Sequence, residues 1–332
     1  MSTLLSVLTF ATLLPFIALG SYIMASWLME ERAKEIDRVS AIAADLARAV
    51  DRELRGQIET AQVVASTRVL QNGDISAFAQ IAEDAAGKAN GHFILIDRNH
   101  QQLVNTRTIA GTALPKTANQ QSAQWVFENG KTLVGNLTKG AVAQRLLYSV
   151  RVPVTVRGDV RYVLSFVPRE GAIADVVNQT YRPEGWFASV VDGTGRIIAR
   201  SFRNTDFYGK QASSDVWEQM KEFSGSLVTR DLEGREAVSA FNGSLLSDWK
   251  VIVWAPKALL EEPVWKASRL MLMLAGLALA GSLIVAYFTG RLIAKPTAML
   301  LDAARHLGDG QPVSFAPTVM KEANVVGEAM RE

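Results

Sequence analysis

The chain has no cysteine among its 332 residues. That excludes disulfides, thiolate metal sites and cysteine nucleophiles. It does not identify a compartment, because an exported domain with its own core needs no covalent staples. An excess of charge of either sign is also missing. Lys and Arg number 35 against 33 Asp and Glu, a formal +2, and no run of five or more basic residues occurs. Nothing in that pattern points to nucleic acid. Histidine is scarce, at three residues. His92 and His100 flank one strand-like run, and without cysteine or a third ligand at fixed spacing they make no metal site. His306 lies on a helix-like stretch with no phosphoacceptor context and reads as a solvated helix face. There is no G-x-S-x-G nucleophile elbow, and no carboxylate pair stands out. These absences argue against an enzyme in residues 29–268 and leave no cofactor to be expected in the chain.

What the chain does have is two long apolar runs. Residues 270–288, LMLMLAGLALAGSLIVAYF, contain no charge and no proline. About nineteen such residues suffice for a helix to cross a ~30 Å hydrocarbon core. Residues 4–28 form the second run. No Lys or Arg precedes it, its roughly 25 residues exceed the apolar region of a cleaved signal, and no A-x-A site closes it, so it reads as an uncleaved signal anchor. Arg291, Lys295 and Arg305 follow the later run, whereas only Met-Ser-Thr precede the earlier one. The positive-inside bias then puts both termini in the cytoplasm and residues 29–268 outside. Gly276 and Ala280 make a small-xxx-small pair, which either favours close helix packing or reflects how common small residues are in spans.

Between the runs, apolar residues recur at Ile36, Val39, Ala43, Leu46, Val50, Leu54, Ile58, Ala61 and Val64. Steps of three and four put them on one helical stripe. The pattern predicts one long helix over about 30–69, about 60 Å at 1.5 Å per residue, either a coiled-coil stalk or a spine carrying two modules. Asn72-Gly73-Asp74 is a turn signal, and 75–89 reads as helix. Short β-type runs follow at 93–96 and 103–104, around the polar turn Asp97-Arg98-Asn99-His100. A helical patch at 121–127 precedes strand-like runs at 133–137, 145–156 and 161–167. The order then returns: strand at 186–191, the turn Asp192-Gly193-Thr194-Gly195, strand at 196–200, helix at 214–223, strands at 225–229, 237–241 and 249–254. The offset is about 95 residues, which marks two copies of one α/β module. Each is expected to be an antiparallel sheet with helices to one side. Asp97 and Asp192 read as turn formers, since Asp caps tight turns with its own side chain.

Residues 259–269 read as a helix feeding the second span. Beyond that span, Pro296 opens a helix with Ile293, Leu300, Ala304 and Leu307 on one face, and Gly308-Asp309-Gly310 closes it. Lys321-Glu322 begins another, with Val325, Val326, Ala329 and Met330 as its apolar positions. The chain stops mid-pattern with that stripe uncovered, so we expect more chain beyond Glu332 and packing as a homodimer.

Taken together, the two modules on a long helix between two spans, the strand–Asp–turn–strand pattern at Asp97 and at Asp192-Gly193-Thr194-Gly195, and the Pro296, Leu300, Gly310, Glu322 series resemble a double Cache sensory region (about 30–265) followed by an incomplete HAMP linker (290–332). Glu184-Gly185-Trp186-Phe187 and Ser247-Asp248-Trp249-Lys250-Val251 are similar to the membrane-proximal module of alphaproteobacterial sensor kinases, and the ending Val325-Val326-Gly327-Glu328-Ala329-Met330-Arg331-Glu332 resembles the linker before a PAS or HWE-type histidine kinase core. The phosphoacceptor His and ATP-binding domain are not in the chain.

The resemblance implies an α+β fold: two PAS-like modules on one long N-terminal helix, flanked by two transmembrane helices and followed by a partial helical HAMP domain. The expected divisions are a cytoplasmic N-terminus at 1–3, a span at 4–28, the spine at 29–70, the membrane-distal module at 71–178, the proximal module at 179–268, a span at 269–290 and HAMP at 291–332. It implies a receptor for an unidentified extracytoplasmic small molecule that signals across the bilayer to a histidine kinase core, and through it to a response regulator. A chemoreceptor or a diguanylate cyclase would use the same front end. A membrane-tethered enzyme or scaffold is the remaining alternative, against which the Pro296–Gly310–Glu322 series argues. In Cache families the ligand usually sits in the distal module, here within 95–150. Arg107, Trp125, Arg145 and Tyr148 are the candidates. Arg offers a planar fork for a carboxylate, and Trp or Tyr can box an apolar or cationic group. The alternative is that the aromatics are core and the arginines solvated. The amino-acid-binding version carries Arg/Lys-x-Trp and then Tyr-x-Asp. Here Ala123-Gln124 precede Trp125 and Ser149-Val150 follow Tyr148, which speaks against an ordinary amino-acid ligand. Arg200, Arg203, Tyr208 and Trp217 are candidates for a second pocket. Pro296, Leu300, Gly310 and Glu322 are the signal-transmission positions.

Overall fold

A computed structural model describes residues 2–109, 111–230, 234–309 and 316–330. The chain divides into two units, one of Ala33–Leu260 and one of Met1–Arg32 with Glu261–Glu332.

Helix α1 spans Ser2–Ala65. Within the first unit it buries Val39, Ala43, Leu46, Val50, Leu54 and Ala61, the stripe expected from the spacing. It stops at Ala65 rather than at residue 69. The hydroxyls of Ser66 and Thr67 donate to the carbonyls of Val63 and Val64, and such back-bonding competes with helix continuation. A single turn, α2 (Arg68–Gln71), follows. Then comes α3 (Ile75–Ala89), capped by the Asp74 carboxylate at one end and by left-handed Asn90 at the other.

Next come β1 (Gly91–Ile96), β2 (Gln102–Asn105), α4 (Gln120–Asn129), β3 (Leu133–Val134), the two-stranded hairpin β4 (Thr138–Lys139) and β5 (Leu146–Leu147), then β6 (Val150–Val156) and β7 (Asp159–Pro168). After α5 (Ala172–Gln179) the sequence β8 (Phe187–Val191), β9 (Ile197–Arg200), α6 (Asn204–Phe207), α7 (Ser214–Gln219), β10 (Ser224–Arg230), β11 (Glu236–Gly243) and β12 (Lys250–Pro256) completes the unit. One antiparallel sheet has the order β2-β1-β7-β6-β3, the other β9-β8-β12-β11-β10. Numbered within each copy, both read second, first, fifth, fourth, third.

The duplication extends to single bonds, displaced by 95 residues. Phe93 N–H donates to the Thr106 hydroxyl, and Ala188 N–H to the Ser201 hydroxyl. Asp97 accepts from the N–H of Asn99 and Gln101, and Asp192 from those of Thr194 and Arg196. The isolated bridge Gln101–Lys116 has its twin in Arg196–Gln211. The turn needs a left-handed residue, and the copies solve this differently: His100 takes φ 64° and Gly195 takes φ 82°.

Helices lie on both faces of the first sheet, not on one side as the spacing suggested. α1 and α3 cover an inner face with Phe93, Val150 and Leu164, and the same continuous core takes in α5, which packs on β8 and β9 of the second sheet, with Ala188 and Trp249. On the outer face Val126 and Phe127 of α4 pack on Val163. The outer face of the second sheet carries its own cluster, including Val191, Val216, Phe241, Ile252 and Trp254.

Helix α8 (Lys257–Gly308), all but its first four residues in the other unit, has 52 residues. Pro296 therefore sits inside a helix and does not open one. Among the described residues Ser268–Gly308 is the one helical stretch long and apolar enough to cross a membrane, with mean hydropathy 2.2. The run at 4–28 falls largely on residues whose side chains lie outside those described. Helix α9 (Lys321–Ala329) starts where expected, with Glu322 in its first turn. Its Ala323 packs with Ala303 and Leu300 of α8. Gly310 lies outside the described residues.

Candidate functional site

The outer face of the first sheet carries a cationic side chain that the strand should not tolerate. Strand β6 reads Val150-Arg151-Val152-Pro153-Val154, and Arg151 is only 5% exposed. Register places it beside Ser165 of β7, then Ile94 of β1 and Asn105 of β2. Its Nη1 donates to the Asn119 carbonyl at 2.7 Å and its Nη2 to the Thr117 hydroxyl at 3.4 Å. Its Nε and the neighbouring Ser165 hydroxyl have no partner. Among the described residues no carboxylate pairs with it. Burial pushes its pKa down to about 10, so the charge persists at neutral pH without compensation. Asn119 and Ser122 at the start of α4, and residues 135–143 leading into the β4–β5 hairpin, roof a tight cavity of about 40 Å³ over this row. Among the described residues no Asp or Glu lines it.

Beside the cavity opens a larger cleft of about 380 Å³, and His92, Arg107, Leu147 and Val167 line both. Arg145, Tyr148 and Tyr208 complete its polar wall. His92 is pushed down to about 4, first by burial and then by the charges of Arg107 and Arg145. It is therefore neutral at physiological pH. Arg145 pairs with Glu170 at the rim. Tyr148 is fixed by Gln57 of α1 at 3.1 Å and stacks edge-on against Trp249 at 4.8 Å. Burial raises its phenol above the ordinary range. Tyr208 donates to the Leu146 carbonyl at 3.1 Å, and burial pushes it up to about 12.

Of the residues singled out from the sequence, Arg107, Arg145, Tyr148 and Tyr208 meet in this cleft. Tyr208 was expected in a second pocket instead. Trp125 points outward from α4, 39% exposed, and lines neither cavity. Arg200 is buried with its guanidinium 4.3 Å over the Phe207 ring. Arg203 is an exposed partner of Asp206. Trp217 packs into the second sheet's outer cluster. These three do not form a common pocket with Tyr208. Sequence reasoning missed Arg151, although a lone cation at the centre of an apolar strand was visible as an anomaly.

The segment that roofs the cavity is also bonded to the second module. The buried Asp192 carboxylate accepts from Leu137 N–H at 2.9 Å, and Gly193 N–H donates to the Asn136 side chain at 3.0 Å. Further along α1, Asp51 accepts from the Ser244 hydroxyl at 2.5 Å and from Leu245 N–H at 3.0 Å, in the β11–β12 turn. Among the described residues no three His, Asp or Glu side chains cluster as metal ligands would.

No family model matches the chain, and no curated protein does. Solved structures do. The extracellular domain of rpHK1S-Z16, assigned by inference to the histidine kinases, aligns with a TM-score of 0.56 at 10% identity, covering 69% of this chain and 98% of that one. The ligand-binding domain of the Campylobacter jejuni chemoreceptor Tlp3, in complex with L-valine, aligns at 0.54 and 11% identity, covering 70% and 97%. That of Mlp24 with asparagine aligns at 0.54 and 14%, covering 71% and 98%. At these identities the likeness is one of fold: the chain has the mixed α+β fold of extracellular sensory domains.

Proposed function

We propose that the chain is the front end of a membrane receptor whose Ala33–Leu260 unit is a double Cache region binding a small extracytoplasmic anion. The observation that carries this reading is Arg151, a buried charge without a counter-charge under a roof bonded to the second module. A carboxylate would supply the missing partner, and Arg is the side chain suited to hold one bidentately. The fold neighbours Tlp3 and Mlp24 hold amino acids. Among the described residues this cavity has no acidic side chain to receive an ammonium group, and the amino-acid motif is absent from the sequence, so the ligand is an acid lacking a cationic group. His92, Arg107 and the Arg145–Glu170 pair form its entrance.

Binding shifts a signalling equilibrium only if one state binds better. The roof segment gives the ligand such leverage, because moving it strains the bonds of Asn136 and Leu137 to Gly193 and Asp192. The second module leads in sequence into α8, whose apolar stretch is the second span, and a HAMP linker with Pro296, Leu300, Gly310 and Glu322 follows. The output is a histidine kinase working as a homodimer with a response regulator. A chemoreceptor or diguanylate cyclase remains compatible with the same front end. The test is calorimetric titration of the full chain in lipid nanodiscs with mono- and dicarboxylates, amino acids, amines and purines. Saturable binding of a carboxylate, abolished in Arg151→Met with no loss of folding, is the expected result. Binding that survives Arg151→Met overturns the site.

A further inference from the structure

The 95-residue repeat maps the cavity of the first sheet onto a second cavity in the other copy. Ile94, Gln102, Thr117 and Ala118 line the first, and Ser189, Ile197, Ala212 and Ser213 line the second. Each pair is displaced by 95 positions. The second cavity is much roomier, at about 440 Å³, within the usual range of small-ligand sites.

Its chemistry has been replaced. Gln102 has become Ile197 and Thr117 has become Ala212. The cross-strand row Asn105–Ile94–Ser165–Arg151 corresponds to Arg200–Ser189–Ile252–Phe241. Phe241 thus stands where the first copy holds its buried cation. Val191, Val216 and Ile252 supply apolar walls. Among the described residues the charged side chains lining the cavity, Asp215 and Arg230, are exposed. Among the described residues two buried donors remain inside. Ser189 is 1% and Trp254 is 7% exposed, both line the cavity, and neither the Ser189 hydroxyl nor the Trp254 indole N–H has a partner. Buried polar groups without partners are costly, and an indole N–H can only donate.

We propose that this cavity is a second ligand site, for an uncharged small molecule with an apolar body and a carbonyl-type acceptor, such as a cyclic ketone or a lactone. A carboxylate is disfavoured, because Arg200, the buried cation of this row, lies over the Phe207 ring and does not line the cavity. The two copies of one module would then read two chemistries, an acid in the first and a neutral carbonyl compound in the second.

The test is titration of the full chain in nanodiscs with cyclohexanone, γ-caprolactone and, as the charged counterpart, hexanoate. Saturable binding of a neutral probe is expected, weakened about tenfold in Ser189→Ala and again in Trp254→Phe, since one hydrogen bond is worth about that factor. Arg151→Met is expected to leave it unchanged, which separates this site from the acid site. Ser189→Ala removes only the hydroxyl, whereas Trp254→Phe also removes ring volume from the cavity wall, and the thermal midpoint of each variant checks that it folds. If Trp254→Phe fails that check, Ser189→Ala carries the test. Absence of neutral-probe binding, tighter binding of hexanoate, or affinities unmoved in the folded variants would overturn the proposal.

Discussion

Replacing Arg151 with Met should make the unliganded protein more stable. Met preserves much of the length and apolar volume of the side chain while removing the charge. The depression of the Arg151 pKa to about 10 by burial corresponds to a desolvation cost of about 3 kcal/mol carried by the charged form. Against this, the substitution abandons the bonds to the Asn119 carbonyl and the Thr117 hydroxyl. Each typically contributes about 1 kcal/mol net. The balance is a gain of about 1–2 kcal/mol, in line with the behaviour of buried ions replaced by apolar groups. In a unit of this size the midpoint should rise by about 2–8 °C. The assay is thermal denaturation of the full chain in nanodiscs, with and without a carboxylate that binds the parent. The parent should gain about 2.7 kcal/mol at a hundredfold excess over Kd, and Arg151→Met should gain nothing. A variant that is destabilised by more than about 1 kcal/mol would refute the reasoning, because the charge would then be satisfied within the protein and would need no ligand.

Three further outcomes follow from the geometry. Asp192→Ala removes the acceptor for Leu137, Thr194 and Arg196 at a fully buried position and should cost about 3 kcal/mol in denaturant unfolding. Its counterpart Asp97→Ala, which has no bond to the other module, should cost about half that; equal costs would deny the inter-module bond its weight. His92 binds its proton less readily when folded than when unfolded, at about 4 against the ordinary ~6.5. Its stabilising contribution is complete above about pH 6.5, is lost as pH falls towards 4, and is flat below that. The part of the pH–stability profile that disappears in His92→Gln should therefore lie between those values and amount to about 3 kcal/mol. His100→Gly should stabilise by about 1 kcal/mol by relieving a left-handed non-glycine residue. Gly195→His should do the opposite and more strongly, since a Cβ there would lie 2.6 Å from Gln211 Nε2 and 2.9 Å from the Trp217 ring.

Much of the first unit was legible in the chain because it depends on local periodicity. The α1 stripe from Val39 to Val64 and the helix at Ile75–Ala89 follow from spacing and caps, and the twin turns at Asp97 and Asp192 from turn chemistry. The copy-to-copy offset followed from counting. Where the reading erred, a local rule lost to context. Pro296 lies within α8, although proline usually marks a helix start or a kink. The strand expected over 145–156 is interrupted at Tyr148-Ser149, where Tyr148 turns to Gln57 and Trp249.

The site was only partly legible. Arg107, Arg145 and Tyr148 share a cleft, but Trp125 faces outward and Tyr208 joins from the other module. Arg151 is one letter in an apolar run, and nothing local to it shows that its charge is buried. By itself the sequence determined the element types, the duplication and the apolar run at 270–288, because propensity, spacing and hydropathy act over neighbouring residues. Only the tertiary structure decided which sheet face each side chain occupies and whether a charge finds a partner. Strand order and register bring together residues some fifty or more positions apart, such as Arg151 with Ile94 and Leu137 with Asp192, and a buried group's energy depends on those neighbours rather than on the ones beside it in the chain.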